Sequence, residues 1–460
     1  MLRHPLRQDS AAALLTIGTA VAVMTAGCAG SSSQSTPTRN ATVPSCITPE
    51  GGKGCLPLAK DAQRVDLGRP VFSHPASVTN PLNPLGKLDQ VIYGGQVDGK
   101  PWRTEFTRLG GTKPVTWDGR TVETVVMQYL AFSDGRIDEV ALDRFGQADD
   151  GSVWYFGEDV FNYADGVVKD HEGTWLAGRH GPAAMITPTR PKVGDAYRSE
   201  NIPGLVFEEV TVKNVGQRVT GPSGRVEGAY TASELHMDGQ REDKIFAPGY
   251  GEFSTGSPNG DLEEVTLAIP TDAHPGPLPA KLAAFSAAVG KTFDAVGTGD
   301  WTRAAAASQT LKRAWAAYRS DGLPDLLEKQ TNRDVGLLTG TIAARDGGRA
   351  QQAALRIAQD NLDLQVRHRP VQAIDSARLI LWARQIGIDA AAAGAGSVAG
   401  DVASLKWTWD RVRPTVDQTR AAGIDTQLSD LQQAADAKDT KTTAKATPAL
   451  LTALTAIQPR

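Results

Sequence analysis

RTVETVVMQYLAFSDGRIDEVALDRFGQADDGSVWYFGEDVFNYADG, residues 120–166, is the stretch on which the fold turns. Apolar and polar residues alternate along it in short runs, the period of a strand with one face buried. Asp134-Gly135, Asp150-Gly151 and Asp165-Gly166 fall between successive runs. Asp-Gly suits the two-residue hairpin turn because both residues accept positive φ. The stretch therefore predicts antiparallel hairpins in series.

The same pattern extends outward. VIYGGQVDG, KPWRTEFTRL and the turn pair Asp118-Gly119 precede it. GVVKDHEGTWLAG follows, then LVFEEVTVKNV, GRVEGAYTASEL, REDKIFAPGYG and EEVTLAI. Such a meander closes into a barrel or folds as a strongly curved sheet, here expected over residues 66–272. The run PTDAHPGPLP, residues 270–279, breaks it, since four prolines in ten residues cannot continue a central strand. From Lys281 onward apolar residues recur at three and four. Trp301, Leu311, Trp315 and Tyr318 form one stripe, and Ile374, Leu379, Trp382 and Ile386 another. That is helical spacing. The fold class expected is α+β with two domains: an antiparallel curved sheet or barrel-like domain, then an all-α bundle over 273–460. A weak similarity between 300–358 and 400–458, each beginning Gly-Asp and then carrying tryptophan, suggests an internal repeat.

The N-terminal text is of another kind. Arg3 and Arg7 precede an apolar run over 11–24, too short for a bilayer-spanning helix, which needs about 20 apolar residues. A charged start, a short apolar core and small residues after it are the pattern of a cleaved signal peptide. Its end, Thr25-Ala26-Gly27-Cys28, resembles the lipobox of bacterial lipoproteins. The resemblance implies loss of residues 1–27, lipid on Cys28 and an address on the outer face of the cell membrane. An ordinary secretory cleavage near Ala29 is the alternative. Residues 29–45, AGSSSQSTPTRNATVPS, read as a Ser/Thr/Pro tether. Cys46 and Cys55 flank the turn-rich ITPEGGKG. In an oxidising compartment they are expected to form a small disulfide clip within a lead-in of residues 28–65. Two free thiols or half a metal site are the other readings.

Composition narrows the function classes. The formal charge is −4 over 460 residues, so there is no basic excess to neutralise phosphates, and nucleic acid is not an expected partner. No GxSxG, HExxH, P-loop or GxGxxG pattern occurs, so no cofactor, metal or catalytic residue is expected. Adjacent carboxylates such as Asp149/Asp150 and Glu208/Glu209 fall on opposite faces of a strand and read as turn or surface charges, not as the facing acids of a glycosidase.

Two sets of residues resemble known but uncharacterised material. Val153-Trp154-Tyr155-Phe156-Gly157-Glu158 and Gly173-Thr174-Trp175-Leu176-Ala177-Gly178, with Tyr197, Arg198 and Glu200 further on, resemble a recurrent bacterial extracytoplasmic β domain of unknown function. Leu362-Asp363-Leu364-Gln365, Arg367-His368-Arg369-Pro370, Ile374-Asp375 and Leu381-Trp382 resemble a helical module of actinobacterial lipoproteins. Neither resemblance implies a catalytic residue.

The candidate ligand residues are correspondingly few. Trp154, Tyr155, Glu158, Trp175, Tyr197 and Arg198 suggest the wall and mouth of an apolar cup, or else an ordinary aromatic core with a Glu158–Arg198 ion pair. Arg367, His368 and Arg369 suggest an anion or carbohydrate contact, or else cations at a helix C-terminus, where the dipole favours them. The expected function is a non-enzymatic envelope lipoprotein, held at the membrane by lipid and binding an envelope protein or glycan. The alternative is a carrier of an apolar ligand or lipid inside the β domain. An envelope glycan or ester hydrolase is the third class.

Overall fold

The structure is a computed structural model and describes residues 46–457. Cys28, the export segment and the tether lie outside the described residues. Fourteen strands precede eight helices among the described residues. One meander comprises β1 (Gln90–Val97), β2 (Lys100–Trp117), β3 (Arg120–Ser133), β4 (Arg136–Gln147), β5 (Val153–Ala164) and β6 (Val167–Asp170). Two short strands, β7 (Trp175–Leu176) and β8 (Ala184–Thr187), return along β5. A second meander follows: β9 (Ala196–Ile202), β10 (Val206–Gly221), β11 (Gly224–His236), β12 (Arg241–Ala247), β13 (Gly251–Gly256) and β14 (Leu262–Ile269). β14 pairs antiparallel with β1, from Gln90 opposite Ile269 to Gln96 opposite Leu262. The two meanders therefore form one open antiparallel sheet, with β6 and β9 at the ends of its path.

The turns carry the mark read from the sequence. Asp118-Gly119, Asp134-Gly135 and Asp165-Gly166 all have positive φ at both residues, and so does Asp98-Gly99. Asp150-Gly151 differs, because only the glycine is positive. There the loop is closed by Ala148 N–H donating to Ser152 O at 2.9 Å, and Asp150 Oδ1 accepts from Ser152 N–H at 2.9 Å.

Curling of the sheet brings the inner faces of both meanders together. Met127, Phe145, Tyr155 and Trp175 from the first join Tyr197, Val210, Tyr230 and Phe246 from the second in one cluster. Tyr155 stacks on Phe145 at 4.8 Å, Tyr230 stacks on Phe246 at 4.7 Å, and the hydroxyls of Tyr197 and Tyr230 meet at 3.0 Å. Side chains fill this interior. The cavity left beside it, between Tyr93, Tyr129, Phe145 and Tyr250, is about 40 Å³, room for a few waters at most.

Cys46 and Cys55 form the expected disulfide. Its loop lies on the outer face of the second meander, where Ile47 and Leu56 pack on Phe207 and Leu235. Glu50 N–H donates to Met237 O at 2.9 Å, fixing the loop to the end of β11.

The helices are α1 (Ala280–Gly297), α2 (Trp301–Arg319), α3 (Asp325–Ala343), α4 (Gly347–Gln365), α5 (Val371–Ala391), α6 (Ala395–Val412), α7 (Gln418–Asp436) and α8 (Thr440–Thr455). Asp300, Asp346, Asp417 and Asp439 cap α2, α4, α7 and α8 by accepting a backbone N–H three residues on. The suggested repeat is not confirmed, because its two opening Gly-Asp pairs hold different positions. Asp300 is a cap, whereas Asp401 is buried inside α6. What the two halves share is a turn: Arg345 and Lys438 both have positive φ immediately before a capping aspartate. Among the described residues no helix is long and apolar enough to cross a membrane.

The bundle docks on the outer face of the first meander and of β14. Ile92, Leu267 and Ile269 point into the helices, while Val91 and Ala268 point inward, the alternation of a strand; a bulge between Val265 and Leu267 turns Val265 inward as well. Trp382 stacks on Phe132 at 5.3 Å, and Trp407 donates through Nε1 to Tyr163 Oη at 2.9 Å. At the β5–β6 turn Gly166, with φ 78°, leaves no room for a side chain, since a Cβ there would overlap the backbone of Gly396 and Gly400.

Candidate functional site

The seam between sheet and bundle holds the densest chemistry. Three arginines and three carboxylates are buried together. Arg378 of α5 contacts Asp375 at 2.7 Å, Asp363 at 2.8 Å and Glu105 at 3.2 Å. Arg103 of β2 reaches Asp363 at 2.7 Å and Glu105 at 2.7 Å. Arg411 of α6 contacts Glu105 at 2.5 Å and donates to Gln128 Oε1 at 2.5 Å. Charges balance within the cluster, the condition under which buried ions are tolerated. Burial would raise the Glu105 carboxyl, but Arg378, Arg103 and Arg411 outweigh it and hold the group well below the ordinary range.

Beside this cluster the seam opens into a groove with a cavity of about 100 Å³. Strands β2 and β3 contribute Trp102 and Phe132, α5 contributes Trp382, and α3 and α4 contribute Asp334, Arg356 and Asp360. Docking supplies the aromatic contact, as Trp382 of the bundle covers Phe132 of the sheet, while Trp102 is held within the sheet by its Nε1 donating to Glu263 at 3.2 Å. The polar wall is unusual. Asp360 is 1% exposed, its Oδ1 accepts from Gln330 Nε2 at 2.5 Å, and its Oδ2 is buried without a hydrogen-bond partner. Burial, reinforced by the Asp334 carboxylate, lifts the Asp360 carboxyl well above its ordinary value. A carboxyl shifted in this direction keeps its proton to higher pH than an ordinary aspartate, and it borders the groove with the guanidinium of Arg356 and an apolar wall. A few polar groups converging on an apolar surface are the usual composition of a small-ligand site.

The residues singled out from sequence lie elsewhere. Tyr155, Trp175 and Tyr197 are core, and none of them borders the small interior cavity. Trp154 belongs to the same buried cluster, packs on Phe72 at 6.4 Å and donates to Ser152 Oγ at 2.8 Å. Glu158 is buried opposite Trp175 in the β5–β7 register. Arg198 pairs with Glu209 at 3.3 Å and lies over the Phe207 ring at 5.1 Å, so Glu158 is not its partner. Arg367, His368 and Arg369 follow the end of α4 and grip the linker. Arg367 Nε donates to Asp272 O at 3.3 Å, its guanidinium touches the His274 ring, and His274 N–H donates to Arg367 O at 2.6 Å. His368 Nδ1 meets His274 O at 3.0 Å, and Arg369 donates to Gln365 Oε1 at 3.1 Å.

A second polar cluster sits on the inner face at the β10–β12 end of the sheet. Cross-strand register places Glu208 opposite His236 and Glu234 opposite Glu242. Ligand atoms of Glu208, Glu234 and His236 lie within 4.8 Å of one another. His236 Nδ1 is 3.4 Å from Glu208, and its Nε2 is 3.3 Å from Glu242 and 3.8 Å from Glu234. Lys244 lies 2.7 Å from Glu234 and 3.3 Å from Glu252. Imidazole and carboxylate donors of this kind could hold a divalent cation. The sequence signal for this cluster is Glu-x-His at 234–236 within a strand, which puts both side chains on one face.

No family model, curated protein or solved structure matches this chain.

Proposed function

We propose that this protein is an extracytoplasmic lipoprotein of the cell envelope, anchored through Cys28, that binds a hydroxyl-bearing envelope component, a glycan residue, in the groove between sheet and bundle. The observation that carries this reading is the contrast between two spaces. The sheet interior is filled and keeps about 40 Å³, whereas the groove keeps about 100 Å³ and contains the unpaired, buried Asp360 Oδ2. A sugar ring offers an apolar face to aromatic side chains and hydroxyls to acids and guanidinium groups. Trp382, Phe132, Asp360 and Arg356 are such a set. The Cys46–Cys55 disulfide agrees with an oxidising compartment.

The experiment is co-sedimentation of the full chain with purified, insoluble cell-wall material from its host. Wild type should sediment and be released by soluble wall fragments, while Trp382→Ala should stay in solution. Equal sedimentation of the two would remove the groove from the account. The address is tested by acyl labelling, which should mark the wild type and leave Cys28→Ser unlabelled.

A further inference from the structure

We propose that Glu234, His236 and Glu242, with Glu208 behind them, form a divalent-metal site at the β10–β12 end of the sheet, for a cation of the zinc or manganese type. The three donor atoms are His236 Nε2, Glu234 Oε2 and Glu242 Oε2. Each is buried and makes no aligned hydrogen bond; Nε2 lies 3.3 Å from Glu242 and 3.8 Å from Glu234. Glu234 is 1% exposed, and buried polar atoms short of aligned hydrogen bonds are costly. Lys244 Nζ makes an ion contact with Glu234 Oε2 at 2.7 Å without hydrogen-bond alignment. It also lies 3.3 Å from Glu252, which can take it over.

The fourth residue sets the chemistry of the ring. Glu208 lies 3.4 Å from His236 Nδ1 and can hold the proton there, which turns the Nε2 lone pair toward the two other carboxylates. A carboxylate behind a ligating histidine is the recurring way proteins fix the tautomer and raise the basicity of the ligand. Charge agrees, since four carboxylates, Glu208, Glu234, Glu242 and Glu252, lie around the two cationic side chains Lys244 and His236. One imidazole among carboxylates suits zinc, manganese or iron(II) and not the soft cuprous ion. The His236 side chain is 20% exposed, which gives an ion a way in.

The scaffold is firm. Glu234 and His236 alternate with Leu235, which packs with Phe207 under Ile47 and Leu56 of the disulfide loop. A bound ion would tie β11 to β12 on the inner face where the loop ties β11 to β10 on the outer one.

The test is equilibrium dialysis of the chelator-stripped full chain against Zn²⁺ and against Mn²⁺, with metal counted by mass spectrometry and the melting temperature followed in parallel. One of the two ions should bind at about one per chain and raise the melting temperature. His236→Ala and Glu242→Gln should each weaken binding at least about tenfold and abolish the thermal shift. Glu242 lies toward the surface, so Glu242→Gln serves should His236→Ala fail to fold. Absence of stoichiometric binding of either ion to the wild type overturns the site, and so does binding that both variants retain in full.

Discussion

Arg378 donates through Nη2 to Asp363 Oδ1 at 2.8 Å, and neither side chain is exposed to solvent. The two residues stand on consecutive helices, α5 and α4, and Arg103 of the sheet contacts the same carboxylate. One aspartate therefore joins both domains. Removing it leaves two buried guanidinium groups short of charge. Asp363→Ala should destabilise the protein by about 3–5 kcal/mol, the cost typical of breaking a buried pair from one side. Denaturant unfolding measures this, and a loss below about 1 kcal/mol would show that the cluster does not hold the seam.

Glu105 predicts an acid limit. Its carboxyl is held well below the ordinary value of 4.5 by three arginines. A folded-state value below the unfolded one adds stability that is complete above the unfolded value and is lost as pH falls toward the folded one. Unfolding free energy should thus decline as pH drops below about 4.5, and the decline should be shallower in Glu105→Gln. Identical slopes in the two proteins would contradict the assignment.

Asp360 carries the opposite sign. Burial and Asp334 raise its carboxyl well above 3.8, so the folded chain holds a proton that the unfolded chain releases. Stability contributed here declines as pH rises above the unfolded value. Asp360→Asn, uncharged at every pH, should be at least as stable as wild type near neutrality and should lack this part of the pH slope. Melting temperatures of both proteins from pH 4 to 8 would decide it. A wild type that gains stability relative to the variant as pH rises would contradict the upward shift.

Reduction of Cys46–Cys55, a pair nine residues apart, should cost about 2–3 kcal/mol on the loop-entropy account. The effect should be local first. Amide exchange should quicken in the Glu50–Met237 contact and around Leu235 before the helices respond. Unchanged exchange there after reduction would show that the loop rides on the sheet without supporting it.

Most strands were legible because alternation and Asp-Gly turns are local signals, and residues 120–166 contain both. β8, β9 and β13 were not. Ala184–Thr187 is wholly buried and does not alternate. In β9 the polar Arg198, Ser199 and Glu200 are all buried. β13 is six residues framed by glycines. Trp154 and Tyr155 show a further limit, because periodicity assigns alternate residues to opposite faces, whereas both are buried in one cluster. The groove was hidden for another reason. Asp334, Asp360 and Trp382 stand on three successive helices that packing brings together, and Trp102 of the sheet reaches them only through docking. Asp363 and Asp375 had been visible as a motif, but their arginine partners come from β2, α5 and α6. His236 was visible as an isolated histidine, and only strand register brings Glu208 and Glu242 to it.

The most direct measurement is calorimetric titration of the full chain with soluble glycan fragments from its host's wall, run in parallel on wild type, Asp360→Asn and Trp382→Ala. The account predicts saturable binding to the wild type, weakened about tenfold or more by Trp382→Ala and measurably by Asp360→Asn, a loss of about 1.4 kcal/mol for each factor of ten. Fragments that bind all three proteins equally, or none of them, would contradict the groove as the site of recognition.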